Sequence, residues 1–114
     1  MKLSYTYILR CRDNSFYTGV TSDIIKRWTR HVDGYYENCY TRGLRPLVLE
    51  HIETFGSMLD AIQREKQIKK WSRSKKQSLI DGDIGLCPKS IKSFTSKEQI
   101  DWVMRTVDGS LNQK

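Results

Sequence analysis

No apolar run in these 114 residues approaches the about 18 consecutive positions that a membrane-spanning helix needs. The chain also shows no signal-peptide pattern, so a cytoplasmic protein is expected. Cysteine is scarce. Cys11, Cys39 and Cys87 are odd in number and widely scattered, without the paired spacing of a metal site, which predicts free thiols in a reducing compartment. Acidic side chains are in deficit, 13 against 20 lysines and arginines, and the resulting charge of +7 suggests an anionic partner without identifying one. There are no internal repeats and no sign of a second globular unit. With 38% hydrophobic residues, the length predicts one domain with a modest core.

The excess positive charge is unevenly placed. Residues 1–82 carry 15 basic and 9 acidic side chains, whereas residues 83–114 carry 5 and 4. The anion-attracting part is therefore the first, which is also where the chain is best patterned.

The organising stretch runs from Ser4 to His31. Tyr5 to Cys11 is aromatic and aliphatic, Arg12-Asp13-Asn14-Ser15 has turn chemistry, and Phe16 to Val20 reads as a returning strand, so a β-hairpin is predicted. The period then changes. Thr21 or Ser22 can cap a helix with Ile24, Ile25, Trp28 and Val32 on its apolar stripe and Gly34 at its end. Arg27 and His31 lie four apart and share a helical face. A tight turn centred on Asp13-Asn14 would place Tyr7 and Tyr17 on opposite sheet faces, so their meeting requires a bulge or a wider turn.

Beyond it, Tyr35, Tyr36 and Tyr40 occupy a polar loop with Arg42 and Arg45. These side chains can stack on bases and grip phosphates, or simply cover a sheet edge. Pro46 to Phe55 reads as a third strand, apolar enough on both faces for a central position. Ser57 and Asp60 resemble a capping box opening a second helix whose inner face carries Met58, Ala61, Ile62, Ile68 and Glu65. An inward carboxylate is costly unless it is paired, protonated or bound to a cation. From Arg64 to Lys76 there are seven basic residues and one acid, with Lys66, Lys69, Lys70 and Arg73 facing mostly outward beside Trp71. Such a run is a solvated face or a phosphate-backbone contact. Ser72 or Ser74 restarts a short helix that Gly82 stops, and Asp83 to Phe94 reads as loop. Thr95 to Glu98 is a capping box for a last helix, about 96–107, whose stripe of Ile100, Trp102, Val103, Met104 and Val107 docks on the domain or on a partner. Ser110 to Lys114 is expected to be disordered.

Tyr5-Thr6-Tyr7, Tyr17-Thr18-Gly19 and Arg27, followed by YTRGLRP and REKQIKKWSRSKK, resemble the GIY-YIG nuclease superfamily, in particular its small stand-alone bacterial members. The resemblance covers about Ser4 to Ile80. It implies a metal-dependent endonuclease acting on DNA in repair or recombination. The alternative is a catalytically weak or inactive nucleic-acid-binding module. Carried over by position, Tyr7 and Tyr17 are the paired tyrosines, Arg27 clamps the phosphate, His31 stands where relatives have Tyr or His, and Glu65 holds Mg²⁺ or Mn²⁺. Gly19, Lys26, Arg42, Arg45, Lys66, Lys69, Lys70 and Arg73 complete the implied nucleic-acid contacts. The first motif lacks its namesake Gly and Ile, and Val20 replaces a lysine that some relatives carry beside the tyrosine. Read without the resemblance, the tyrosines are ordinary strand aromatics, Gly19 is a bulge or strand-end residue, and His31 is a helix-end histidine.

The expected architecture is α+β: a small, mainly antiparallel sheet of three strands flanked by helices. Residues 1–82 would form the nuclease-like domain, and 83–114 a C-terminal extension with one helix. That helix is also a possible contact for a protein partner.

Overall fold

In the computed structural model, residues 3–33, 42–86 and 96–112 are described; at 42, 84, 96, 97 and 107–112 only the backbone is. Gly34, Tyr35, Tyr36, Cys39, Tyr40, Cys87, Pro88 and Thr95 lie outside the described residues. The fold is α+β, with strands β1 (Ser4–Arg10), β2 (Phe16–Thr21) and β3 (Val48–Phe55), and helices α1 (Ile24–Asp33), α2 (Met58–Lys69), α3 (Arg73–Ile80) and α4 (Ser96–Asn112). The sheet is antiparallel in the order β2-β1-β3. The central strand is therefore β1, and β3 is an edge. Its double-sided apolar pattern has another cause: α4 covers one face and α2 the other, so an edge strand is buried like a central one.

The hairpin register is set by a five-residue connection, Cys11 to Ser15. Cys11 N–H donates to Ser15 O at 2.8 Å, and Asn14 takes a left-handed φ of 69° that asparagine tolerates well. Arg10 pairs with Phe16, Leu9 with Tyr17 and Tyr7 with Gly19. The wider turn thus shifts the register by one from the tight-turn expectation and brings Tyr7 and Tyr17 to one face.

Helix α1 is capped by Asp23 rather than Thr21 or Ser22. Lys26 N–H donates to Asp23 Oδ1 at 3.1 Å, while Thr21 Oγ1 accepts from Asp23 N–H at 3.0 Å and braces the entry. The buried stripe is Ile24, Trp28 and His31; Val32 is 43% exposed. The stripe turns through position 31 because a buried imidazole finds a polar partner there.

One face of the sheet packs Tyr7, Leu9, Leu49 and Ile52 against Ile24 and Trp28 of α1 and Val103 of α4. The other packs Ile8 against Ile68 of α2 and Leu79 of α3, with Trp71 alongside. Thr6 Oγ1 donates to Ala61 O at 2.8 Å, fixing α2 to the central strand. Ser57 caps α2 and Ser72 caps α3, whereas Met58, expected inward, is 36% exposed in the first turn. Gly82, at φ 96°, ends α3: its N–H bonds Leu79 O, and Asp83 N–H bonds Ser78 O, a Schellman closure. The loop expected after it contains a short 3₁₀ turn, Ile84–Leu86. Helix α4 runs on to Asn112, past its expected end near Val107, so residues 110–112 are helical rather than disordered. Gly109 costs a helix only about 1 kcal/mol and does not stop it by itself. In α4, Val103 docks on the sheet, but Trp102 is 44% exposed.

Candidate active site

Strands β1 and β2 and helix α1 converge on Tyr7, Tyr17 and His31. The ring centroids lie 6.4 Å apart for Tyr7–Tyr17, 5.9 Å for Tyr7–His31 and 5.5 Å for Tyr17–His31, the two histidine contacts being edge-on. Tyr7 Oη and His31 Nε2 are hydrogen-bonded at 3.0 Å. Both residues are buried to 1% exposure, whereas Tyr17 and Arg27 are only partly covered. The tyrosine that faces outward is thus Tyr17, with the Tyr7–His31 pair behind it.

Gly19 makes this packing possible. A Cβ at position 19 would overlap the hydroxyl and ring of Tyr7, which lies opposite it in the sheet. It is neither a bulge nor a strand-end glycine; it gives room to an aromatic ring.

His31 is held well below the usual histidine range, at about 4, first by burial and then by the positive charge of Arg27 one helical turn away. The imidazole is therefore neutral near pH 7, with one ring nitrogen able to accept a proton. With Tyr7 as donor, that acceptor is Nε2.

The other anticipated residues are dispersed. Glu65 lies on the flank of the inner face of α2, the inward position being Arg64; its carboxylate pairs with Lys69 Nζ at 3.5 Å. Helix α2 packs on the opposite sheet face from the aromatic cluster, through Thr6 and Ile8. Lys66, Lys69 and Lys70 are exposed on α2 and just after it, and Lys26 is exposed on α1. Arg45 donates from Nη1 to Val32 O at 3.3 Å, closing the C-terminal end of α1. Arg73 stacks its guanidinium over Phe16 at 4.4 Å and bonds Asn14 O, stapling α3 to the hairpin turn. Trp71, expected on the outward arc, is half-buried between the cations of Arg64 and Lys75. The Arg42 side chain lies outside the described residues.

Sequence reading missed a second polar cluster. Glu53, 1% exposed, accepts from Arg64 Nε at 2.7 Å and Nη2 at 3.0 Å, and bonds His51 Nε2 at 2.9 Å. Burial pushes the Glu53 carboxyl up, but the bonds from His51 and Arg64 outweigh it and hold it below the usual carboxylate range. Arg64 also bonds Gln67 Oε1 at 2.9 Å and Leu86 O. A signal was available: Arg64 lies three after Ala61 and four before Ile68, on the stripe those residues define. This cluster fastens α2 to β3.

The donor set discriminates among metals. Among the described residues no three His, Cys, Asp or Glu side chains converge. That does not fit a protein-caged zinc, which needs three or four such ligands. It does fit Mg²⁺, which keeps several waters and takes one or two carboxylates plus phosphate oxygens. Glu65 is a partly exposed carboxylate of that kind.

A model of the GIY-YIG catalytic domain matches residues 3–78. A UPF0213 protein of Syntrophus aciditrophicus is 45% identical over 80 residues, spanning 70% of this chain and 92% of its own. One from Clostridium perfringens is 38% identical over 99 residues, 87% of this chain and 99% of that one. The solution structure of the E. faecalis protein EF2693 superposes with a TM-score of 0.53 at 30% identity, covering 82% of this chain and 97% of that one. Among the described residues, no helix is long and apolar enough to cross a membrane.

Proposed function

The chain belongs to the GIY-YIG family, and from that premise we propose that it is a divalent-metal-dependent endonuclease that hydrolyses phosphodiester bonds of DNA, in repair or recombination. Residues 1–82 form the catalytic part in this reading, and 83–114 extend it. The observation that carries the proposal is the closed Tyr7–His31–Tyr17 cluster with the Arg27 charge beside it.

Hydrolysis needs a water that loses a proton, charge neutralisation on the phosphoryl oxygens and a protonated leaving oxygen. Arg27 is the phosphate clamp, its planar fork matching two phosphate oxygens. Tyr17, as its phenolate, takes the proton of the attacking water at the surface, and the hydrogen-bonded Tyr7–His31 pair packs behind its ring. Arg27 is one of the two causes that keep His31 neutral. A phosphate paired with Arg27 cancels part of that charge, so substrate binding strengthens the imidazole as a proton acceptor. The P–O bond to the leaving group breaks as the water oxygen bonds phosphorus, and the leaving oxygen takes its proton from solvent. Glu65, on α2 against the other sheet face and beside Lys69, is the residue that would hold Mg²⁺ or Mn²⁺, and the ion would supply charge stabilisation to phosphoryl oxygens that reach it. Lys66, Lys69, Lys70 and Lys26 contribute phosphate-backbone attraction.

The test is cleavage of a panel of nicked, flapped and branched duplexes with Mg²⁺ or Mn²⁺, against a chelator control. Scission should require metal and be lost in Glu65→Gln while DNA affinity persists. A Glu65→Gln variant that cuts as fast as the parent removes Glu65 as the ligand. The burial of Tyr7 and His31 to 1% supports a second reading, a binding module that holds DNA without cutting it. It predicts salt-sensitive binding with no scission on any substrate of the panel.

A further inference from the structure

Away from the aromatic cluster, a cavity of about 540 Å³ opens between the end of the sheet and α4. Its walls are Leu3, Tyr5 and Trp102, with Thr54, Glu98, Gln99 and Arg105 as polar members. We propose that this cavity is a nucleotide subsite: an unpaired base of the strand flanking the scissile phosphate stacks on Trp102, and its phosphate meets Arg105. The proposal rests on the nuclease reading and extends it to the kind of DNA the protein prefers.

Four observations support this occupant. The volume is that of a small-molecule pocket, large enough for a base and its sugar. Trp102 is 44% exposed on a helix whose neighbouring Val103 is fully buried, so a large aromatic face is left open beside the cavity. Base stacking on such a face is sequence-tolerant, as a nuclease that reads shape requires. Arg105 is exposed and, among the described residues, forms no ion pair; its Nε reaches only Asp101 O of its own helix, at 3.4 Å. An aromatic ring beside a free guanidinium suits a base with its phosphate better than an apolar peptide side chain, which would leave the cation unused. Gln99 spends one amide hydrogen on Thr54 Oγ1 and keeps another donor and its carbonyl oxygen for a base edge.

Tyr5, which lines the cavity, stands on the strand that also carries Tyr7. Tyr5 and Tyr7 lie two residues apart on one face of β1, about 7 Å along the strand. Tyr5 stays a protonated phenol, because burial and then the nearby Asp23 charge raise its pKa, so it offers a hydrogen bond and no negative charge to the incoming strand.

Affinity of Trp102→Ala and Arg105→Gln should be measured for two probes: a duplex bearing a short unpaired oligothymidine flap, and the same duplex without it. Trp102→Ala should weaken flap binding about tenfold more than duplex binding. Arg105→Gln should show a smaller loss of the same kind, and Trp102→Phe should recover most of the affinity. Equal losses on both probes, or no loss on either from a parent that binds and cuts flapped DNA, overturn the subsite and leave the nuclease reading standing. A parent that neither binds nor cuts either probe overturns both.

Discussion

Two histidines are buried in this small fold, on opposite faces of one sheet, and their partners give them different work. His51 bonds a carboxylate that is already held by an arginine, so its side of the sheet is a closed ion cluster joining β3 to α2. His31 bonds a phenol and feels a nearby cation, so its side is uncharged at the centre, with Tyr17 and Arg27 at the surface. The first arrangement pairs its carboxylate with a guanidinium internally and leaves only His51 Nδ1, buried, without a hydrogen-bond partner. The second holds a neutral base next to an arginine that can take a phosphate. Burial alone does not mark a functional histidine; what it faces does.

The comparison breaks most sharply at Glu53. Glu53→Ala leaves Arg64 and His51 without their carboxylate in a buried site, and stability should fall by about 3–5 kcal/mol in denaturant unfolding. Replacing Glu53 and Arg64 together by apolar residues of similar size should restore most of it. If Glu53→Ala is nearly neutral, the cluster is not what fastens α2.

His31 provides the next largest effect, through pH. Its folded pKa of about 4 lies below the unfolded value of about 6.5, so the unfolded chain takes up a proton that the native chain refuses. The contribution of His31 is complete above about pH 6.5 and is lost as pH falls to about 4, by up to about 3 kcal/mol. Stability measured across that window should fall less in His31→Gln than in the parent. Parallel curves would mean that His31 titrates normally.

Gly19→Ala tests the space beside Tyr7. Overpacking against the ring should cost about 1–3 kcal/mol and disturb the Tyr7–His31 bond, lowering cleavage as well. Full stability and activity in this variant would show that the close approach is unimportant.

Much of the fold was legible because it follows from local rules. The period change at Thr21, the serines that cap α2 and α3, and the glycine that ends α3 are short-range signals. The misreadings came from long-range packing. Strand β3 is doubly covered at an edge because the distant α4 meets one face while α2, which follows it, folds back on the other, and Trp102 stays open although its neighbour docks. At the site, the meeting of Tyr7 and Tyr17 on one sheet face depended on a five-residue turn whose length the sequence alone left open. The partner of His31 is set by that same register. Glu53 and Arg64 stand 11 residues apart across a strand-to-helix connection, so neither reveals the other by periodicity.

The central claim is that Arg27 grips the phosphate at a site built for chemistry rather than for support. Cleavage rate and melting temperature of Arg27→Ala should therefore be taken on one preparation. The rate should fall by about 100-fold or more, with Arg27→Lys recovering only part of it, while the melting temperature hardly moves. An unchanged rate, or a large fall in melting temperature, would contradict the claim and place Arg27 among the residues that hold the fold.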